Sequence, residues 1–376
     1  MSLFNVYPLF DITPVKAKDI NVYDENGTEY LDLYGGHAVI SIGHSHPTYV
    51  KNISNQVSNL GFYSNSIQNP LQTKLADELI KQSNCNDYQL FLCNSGAEAN
   101  ENALKLASFH TNKKKIIAFK NGFHGRTSAA VAATDNTKIV APINAQQEVE
   151  FFELGDLQSV EKALQKEDVC AVIIECIQGV GGLDESTTTF YQSLDKLCKQ
   201  YKALFIADEV QSGFGRTGDF FAFQKHNITP DIISMAKGMG NGFPIGGILI
   251  HPSIEASYGL LGTTFGGNHL ACVASLTVLT ILKEEKLLKN ASIISEYFIK
   301  KAAEIPAIKK IKGRGLMLGI EFNFPIASLR KELIFKHHIF TGSAKNPNLL
   351  RILPPLTIKK QHVDQFFDAI KKELSN

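Results

Sequence analysis

The sequence predicts an α/β protein, with a large domain built on a mainly parallel sheet between helices and a smaller α+β domain after it. Three observations carry this reading. The chain has 376 residues, beyond the size at which a single hydrophobic core keeps growing. From about residue 90, short apolar runs alternate with amphipathic segments, as in strand–helix units with a buried parallel sheet. The residues just after several of these runs are polar and glycine-rich, which is where open α/β sheets take their ligands.

Residues 1–35 read as short extended pieces and turns, with Asn26-Gly27 as a hairpin turn. Helical patterning covers Pro47 to Ser58 and Leu71 to Gln82. The expected strands are Leu90–Cys93, Ile116–Phe119, Ala171–Glu175, Leu204–Ala207, Ile232–Ser234 and Gly247–Ile250. A long helix is expected from His269 to Lys286. It leads into the smaller domain, which ends in an amphipathic helix from Lys360 to Leu374. No internal repeat or low-complexity tract interrupts the chain.

Composition narrows the function classes. Formal net charge is +1, so no global field favours nucleic acid or a membrane surface. Met1 to Phe10 lacks the basic and apolar regions of a signal peptide. The stretch poorest in charge, Gly259 to Leu282, carries Gly, Thr, Asn and His rather than the continuous apolar character of a membrane span. Six cysteines include no Cys-x-x-Cys pair, so reduced thiols in a cytoplasmic protein are expected rather than zinc ribbons or redox motifs. Of 38 basic residues only five are Arg, at 126, 216, 314, 330 and 351. Where the chain keeps Arg, it is a candidate for two-pronged carboxylate binding, which Lys cannot provide.

Several segments carry chemistry. Ser95-Gly96-Ala97-Glu98 opens a helix with a capping-box pattern, and its glycine lets an anion approach the free N–H groups of the first turn; a plain helix cap is the alternative. Asp208-Glu209 follows the apolar run Leu204–Ala207. A carboxylate there is either a turn residue or the anion that a pyridine-based cofactor needs beside its ring nitrogen. Lys237, in an apolar, glycine-flanked setting, can have its amine pKa lowered enough to act as nucleophile and base. Phe123 offers a ring that can stack on a heterocycle, and Arg126 a fork for a carboxylate; a core Phe and a surface Arg is the competing reading. Arg351 is a lone charge in Leu349–Pro355 and needs a partner, either a structural carboxylate or a substrate. His37, His44 and His46 invite a metal reading, but no further ligand lies nearby, and no metal is expected. A dehydrogenase is disfavoured by the missing Gly-x-Gly-x-x-Gly, and no Walker loop is present.

Together these segments resemble the class III pyridoxal-phosphate aminotransferases of the ornithine/acetylornithine type, which have the type I fold. The resemblance runs from about Tyr7 to the last helix. It rests on Leu33–His46 (LDLYGGHAVISIGH), Asn94–Asn100 (NSGAEAN), Phe123–Thr127 (FHGRT), Asp208–Thr217 (DEVQSGFGRT), Ala236–Gly242 (AKGMGNG) and Thr263–Asn268 (TTFGGN). It implies pyridoxal 5'-phosphate as cofactor, with Gly96 and Ala97 on its phosphate, Phe123 stacked on its ring, Asp208 at the ring nitrogen, Gln211 at the ring hydroxyl, and Lys237 attached covalently. It implies a homodimer with shared active sites, Thr264 reaching the phosphate from the other subunit. Arg126, with Thr263 beside it, would bind the carboxylate of an acylornithine, and Arg351 the α-carboxylate of glutamate or 2-oxoglutarate. The implied reaction is transfer of the δ-amine of N-acetylornithine to 2-oxoglutarate, a step of arginine biosynthesis; N-succinylornithine, ornithine and 4-aminobutyrate remain rival donors. The implied division is an N-terminal segment 1–45 packing with the small domain, a cofactor-binding domain 46–268 and a small domain 269–376.

The sequence departs from the family pattern after the third strand. Relatives often read Glu-Pro-Ile-Gln-Gly-Glu, the second Glu masking the glutamate-binding Arg while the ω-amino substrate is bound. Here the chain reads Glu175-Cys176-Ile177-Gln178-Gly179-Val180, and Val180 cannot mask a cation. A catalytically silent cofactor-binding protein stays possible at this stage, although every chemical residue is present.

Overall fold

A computed structural model of the chain describes residues 3–375. Met1, Ser2 and Asn376, at the ends of the expected first and last segments, lie outside the described residues.

The N-terminal residues form β1 (Pro14–Lys18), β2 (Asn21–Asp24) and β3 (Glu29–Asp32), paired antiparallel in sequence order. The β2–β3 turn falls at Asn26-Gly27, as the sequence predicts. Gly27 takes a φ of +82°, and Asp24 Oδ1 accepts the N–H groups of Asn26 and Thr28 at 2.9 and 2.8 Å. Helices Pro47–Asn59 and Pro70–Ser83 follow. Each starts with Pro in its first turn, where the missing N–H has no intrahelical partner to lose.

The large sheet has seven strands: β4 (Gln89–Cys93), β5 (Lys115–Phe119), β6 (Val149–Phe152), β7 (Val169–Ile174), β8 (Leu204–Asp208), β9 (Ile232–Met235) and β10 (Gly246–Ile250). Their order is β4-β10-β9-β8-β7-β5-β6. Only β10 runs against its neighbours; the other pairings in the sheet are parallel. Every residue of β7 and β8 is buried, which explains their continuous apolar runs, since helices cover both faces. The edge strand β6 is not among the expected strands: its four residues are half-buried, and VEFF is too short to signal itself by alternation.

Two expectations are corrected. Glu175 lies just past β7 rather than inside it, because its carboxylate accepts N–H groups from Phe123 and Gly179 in the loops above the sheet, both at 2.9 Å. The long helix from His269 stops at Glu284 instead of Lys286, where a left-handed residue (φ +53°) redirects the chain into a second helix, Leu287–Ala302.

Beyond this helix pair lie β11 (Ile308–Arg314), β12 (Met317–Phe322), β13 (Ile339–Phe340), β14 (Gly342–Ser343) and β15 (Leu349–Ile352). An antiparallel sheet is ordered β11-β12-β15-β14, while β13 joins the N-terminal sheet parallel to β3. The final helix spans Lys360–Leu374. Among the described residues, no helix is long and apolar enough to cross a membrane.

Candidate active site

Because β4, β5, β7, β8 and β9 point the same way, their carboxyl ends open onto one edge of the sheet. A cavity of about 220 Å³ lies there, lined by Gly96, Ala97, Asn100, Phe123, His124, Gly125, Arg126, Glu175, Val180, Asp208, Val210, Gln211 and Lys237. Seven of the ten predicted site residues meet in it: Gly96, Ala97, Phe123, Arg126, Asp208, Gln211 and Lys237. Larger hollows are surface grooves away from these residues, such as one of about 530 Å³ lined by Asn52, Lys74 and Lys283.

Asp208 ends β8 and is buried. Its Oδ2 accepts hydrogen bonds from Asn100 Nδ2 and His124 Nδ1, both at 2.7 Å, and its Oδ1 accepts the Val210 N–H at 3.0 Å. Burial opposes a charge on the His124 imidazole, but its hydrogen bond to Asp208 and the charges of Asp208 and Glu175 outweigh it, raising the His124 pKa above the ordinary value. Asp208 is thus a buried anion fixed on three sides.

Lys237 follows β9 in a sharp turn. Its φ is +48°, a region that non-glycine residues seldom occupy and that clusters at functional sites. Among the described residues its amine has no hydrogen-bonded partner. Burial pushes its pKa below the ordinary ammonium value and Arg351 adds to the effect, while Asp208 and Glu175 pull the other way. An uncommitted amine of lowered basicity is suited to nucleophilic and base chemistry.

The loop carrying Phe123 and Arg126 is pinned at several points. Phe123 N–H donates to Glu175, and His124 N–H to Thr134 Oγ1 at 2.9 Å. Glu101 takes the Thr127 hydroxyl and the N–H groups of Ala129 and Ala130 at 2.7, 2.9 and 3.0 Å. Helix Gly96–Thr111 begins at the cavity with Ser95 as cap, its Oγ accepting the Glu98 N–H at 3.2 Å. The capping box is displaced by one residue: the Glu98 carboxylate reaches back to the N–H of Asn94, not to that of Ser95. The N–H groups of Gly96 and Ala97 have no acceptor within their own helix. A Cβ at residue 96 would lie 2.5 Å from Val210 Cγ1, so only glycine fits.

The five arginines divide. Arg216 is fully buried and donates to the carbonyls of Leu316, Pro354 and Ile40; burial lowers its pKa to about 9. Arg314 binds Glu185, Asp219 and the Ala222 carbonyl. Arg330 donates to the Thr341 carbonyl and lies over the Phe10 ring. These three are structural. Arg126 is exposed at the cavity. Arg351, buried on β15, donates to the carbonyls of Ser343 (2.6 Å) and Gly179 (2.9 Å) and to Tyr34 Oη (3.2 Å). Neither Arg126 nor Arg351 has a carboxylate within 4.0 Å among the described residues.

Thr263 and Thr264 are not at this cavity. They sit on a separate loop, with Thr263 Oγ1 accepting the Gly266 N–H at 3.0 Å and Thr264 exposed. The three early histidines face different partners: His37 meets Tyr34, His44 meets Asp32 and His46 meets Glu285. Asn100, His124, Glu175 and Tyr34 lie in the quoted segments, but the sequence assigns them no role. Asn100 stands one helical turn after Gly96, a spacing that could have placed it on the same face.

The matching family model, aminotransferase class-III, covers residues 5–374. The chain belongs to the class-III aminotransferases. Pyridoxal 5'-phosphate is the cofactor of this class, and the chain has its type I fold. The class-III chain is 39% identical to the acetylornithine aminotransferase of Bacillus subtilis (strain 168), over 100% of this chain and 98% of that protein. It is 38% identical to the acetylornithine aminotransferase of Aquifex aeolicus (strain VF5), covering 99% of each. A structure of the ornithine aminotransferase of Toxoplasma gondii, described as having partial occupancy of pyridoxal phosphate at its active site, superposes with a TM-score of 0.90 at 28% identity. That match covers 98% of this chain and 91% of the other.

Proposed function

We infer that this aminotransferase moves the δ-amine of N-acetylornithine to 2-oxoglutarate, giving N-acetylglutamate semialdehyde and glutamate, a step of arginine biosynthesis. The observation that carries the reading is an uncommitted Lys237 amine and a fixed Asp208 carboxylate lining one cavity, with neither Arg126 nor Arg351 paired with a carboxylate among the described residues.

The residues present fit the cofactor. Asp208 offers an anion for a ring nitrogen, Gln211 Oε1 is buried without a partner and can accept from a ring hydroxyl, and the Gly96 and Ala97 N–H groups can take a phosphate. Phe123 supplies a ring to stack. When bound, pyridoxal 5'-phosphate supplies an aldehyde that condenses with amines and a pyridine ring that withdraws electrons.

This chain's own residues then do the rest. Lys237 Nζ, its basicity lowered by burial, would hold the cofactor aldehyde covalently and, when free, would move a proton at the substrate carbon as general base and acid. Asp208, held by Asn100 and His124, would pair with the ring nitrogen and favour its protonated form. Arg126 orients the carboxylate of N-acetylornithine, and Arg351 the α-carboxylate of glutamate or 2-oxoglutarate. We assign Thr263 and Thr264 to the active site of a second subunit in a homodimer, Thr264 on the phosphate and Thr263 near Arg126; their position away from the cavity supports this. The division 1–45, 46–268 and 269–376 is supported by the pairing of β3 with β13, and a reducing cytoplasm by six buried, unpaired cysteines.

The test is direct. The purified protein should have a visible absorption band that borohydride treatment removes, and N-acetylornithine with 2-oxoglutarate should give glutamate. A side-by-side assay with N-succinylornithine and ornithine should favour the acetyl donor; no turnover with it would overturn the reading.

A further inference from the structure

Arg351 is held by two carbonyls and a phenol, with no carboxylate within 4.0 Å among the described residues. A guanidinium only donates, so Tyr34 Oη must accept from Arg351 Nη2 at 3.2 Å. With the His37 proton on Nε2, the phenolic proton is donated to His37 Nδ1, 2.5 Å away. In this arrangement His37 Nδ1 carries no proton and the imidazole is neutral. We propose that Tyr34 and His37 form a neutral relay that positions the Arg351 guanidinium and leaves its full charge for a substrate carboxylate. The proposal rests on the reading of Arg351 given above.

The backbone around the relay is built to present it. Residues Gly35, Gly36, His37 and Ala38 have φ values of 54°, 55°, 68° and 64°, a left-handed run that L-residues avoid. Asp32 holds its start, Oδ1 accepting the N–H groups of Tyr34 and Gly35 at 2.9 and 2.8 Å, while Oδ2 pairs with His44 at 2.8 Å. A Cβ at residue 35 would lie 2.8 Å from the Leu353 carbonyl oxygen. The His37 carbonyl accepts Gln211 Nε2 at 3.1 Å, which ties the turn to the cavity wall. Burial, Arg351, Lys237 and Arg330 all depress the His37 pKa, in keeping with a neutral relay. Asp32 is the one anion near Tyr34 among those that shift it, and it is committed to the turn. A hydroxyl on Arg351 fixes orientation, whereas a carboxylate there would compete with substrate.

Both are positioning residues, and the test separates this from simple support of the fold. In the holoenzyme, calorimetric binding of glutarate, an unreactive dicarboxylate, should weaken roughly tenfold in Tyr34→Phe and in His37→Gly, the loss expected for one hydrogen bond to a charged group. The KM for 2-oxoglutarate should rise similarly with kcat little changed, and the N-acetylornithine half-reaction should be spared. His37→Asn should restore binding, because its side-chain oxygen accepts as Nδ1 does and Asn, like Gly, tolerates the left-handed backbone. Wild-type glutarate affinity in Tyr34→Phe, or His37→Asn binding as weakly as His37→Gly, would overturn the relay. A wild-type enzyme that neither binds glutarate nor turns over 2-oxoglutarate would instead remove the reading of Arg351 itself, and the relay with it.

Discussion

Restoring a carboxylate at position 180 tests how the site handles two different substrates. Val180 is half-buried, lines the cavity and follows Gly179, whose carbonyl accepts Arg351 Nη1 at 2.9 Å. A Glu side chain from residue 180 can therefore reach the guanidinium. Two unit charges about 4 Å apart attract by about 4 kcal/mol at an effective dielectric of about 20. Glutamate and 2-oxoglutarate would have to displace this internal partner. If even a third of that attraction opposes binding, affinity falls about tenfold. Val180→Glu should therefore raise the KM for glutamate and 2-oxoglutarate by roughly tenfold or more, and leave the N-acetylornithine half-reaction intact. Single-turnover half-reactions, followed by the cofactor's visible band with each amino donor separately, give the answer. Unchanged glutamate kinetics in the variant would show that residue 180 does not face Arg351 and would refute the argument.

Three further substitutions probe the other groups. Lys237→Ala should abolish multiple turnover yet leave a folded protein that binds cofactor, since no described hydrogen bond depends on that amine; turnover well above background would remove the nucleophile assignment. Arg126→Lys keeps the charge but loses the two-pronged contact, and a lost charge contact costs on the order of 2–5 kcal/mol. The N-acetylornithine half-reaction should accordingly fall roughly 30-fold or more in specificity while the glutamate half-reaction falls less; equal losses would contradict the role. In the apoprotein, His124 has a raised pKa, so its charged form stabilises the fold. That contribution is full below the unfolded value of about 6.5 and is lost as pH rises through the higher folded value. The difference in melting temperature between wild type and His124→Asn should shrink as pH rises through that window, and parallel profiles would exclude the effect.

Most of the large sheet was legible because burial on both faces forces continuous apolar runs: β7, β8 and β9 announce themselves, and each ends within about a residue or two of its expected position. The edge strand β6 gave no such signal, being half-buried and short. The end of β7 was misplaced because Glu175 follows directly on apolar residues, and only the loops above the sheet explain why a carboxylate belongs there. The same limit applies to the helix from His269, where a single left-handed Lys286 makes the break and Lys carries no turn signal of its own.

The site was legible in its parts but not in its balance. From sequence, Arg216 and Arg351 look alike, each in an apolar or glycine-flanked segment. In the fold, Arg216 donates to three backbone carbonyls, so its donors are spent on fastening segments together. Arg351 shares its donors between two carbonyls and a phenol near the cavity. The distinction depends on where distant chain segments converge, with Tyr34, Gly179 and Ser343 all meeting at β15, and no local pattern encodes that convergence. The distribution of charge follows from it. Asp208 and Glu175 are each held by hydrogen bonds, and among the described residues Arg126, Arg351 and the Lys237 amine have no carboxylate within 4.0 Å. On the roles proposed for the two arginines, a ligand with two carboxylates, as 2-oxoglutarate has, would engage both, and an N-acylated ω-amino acid only one.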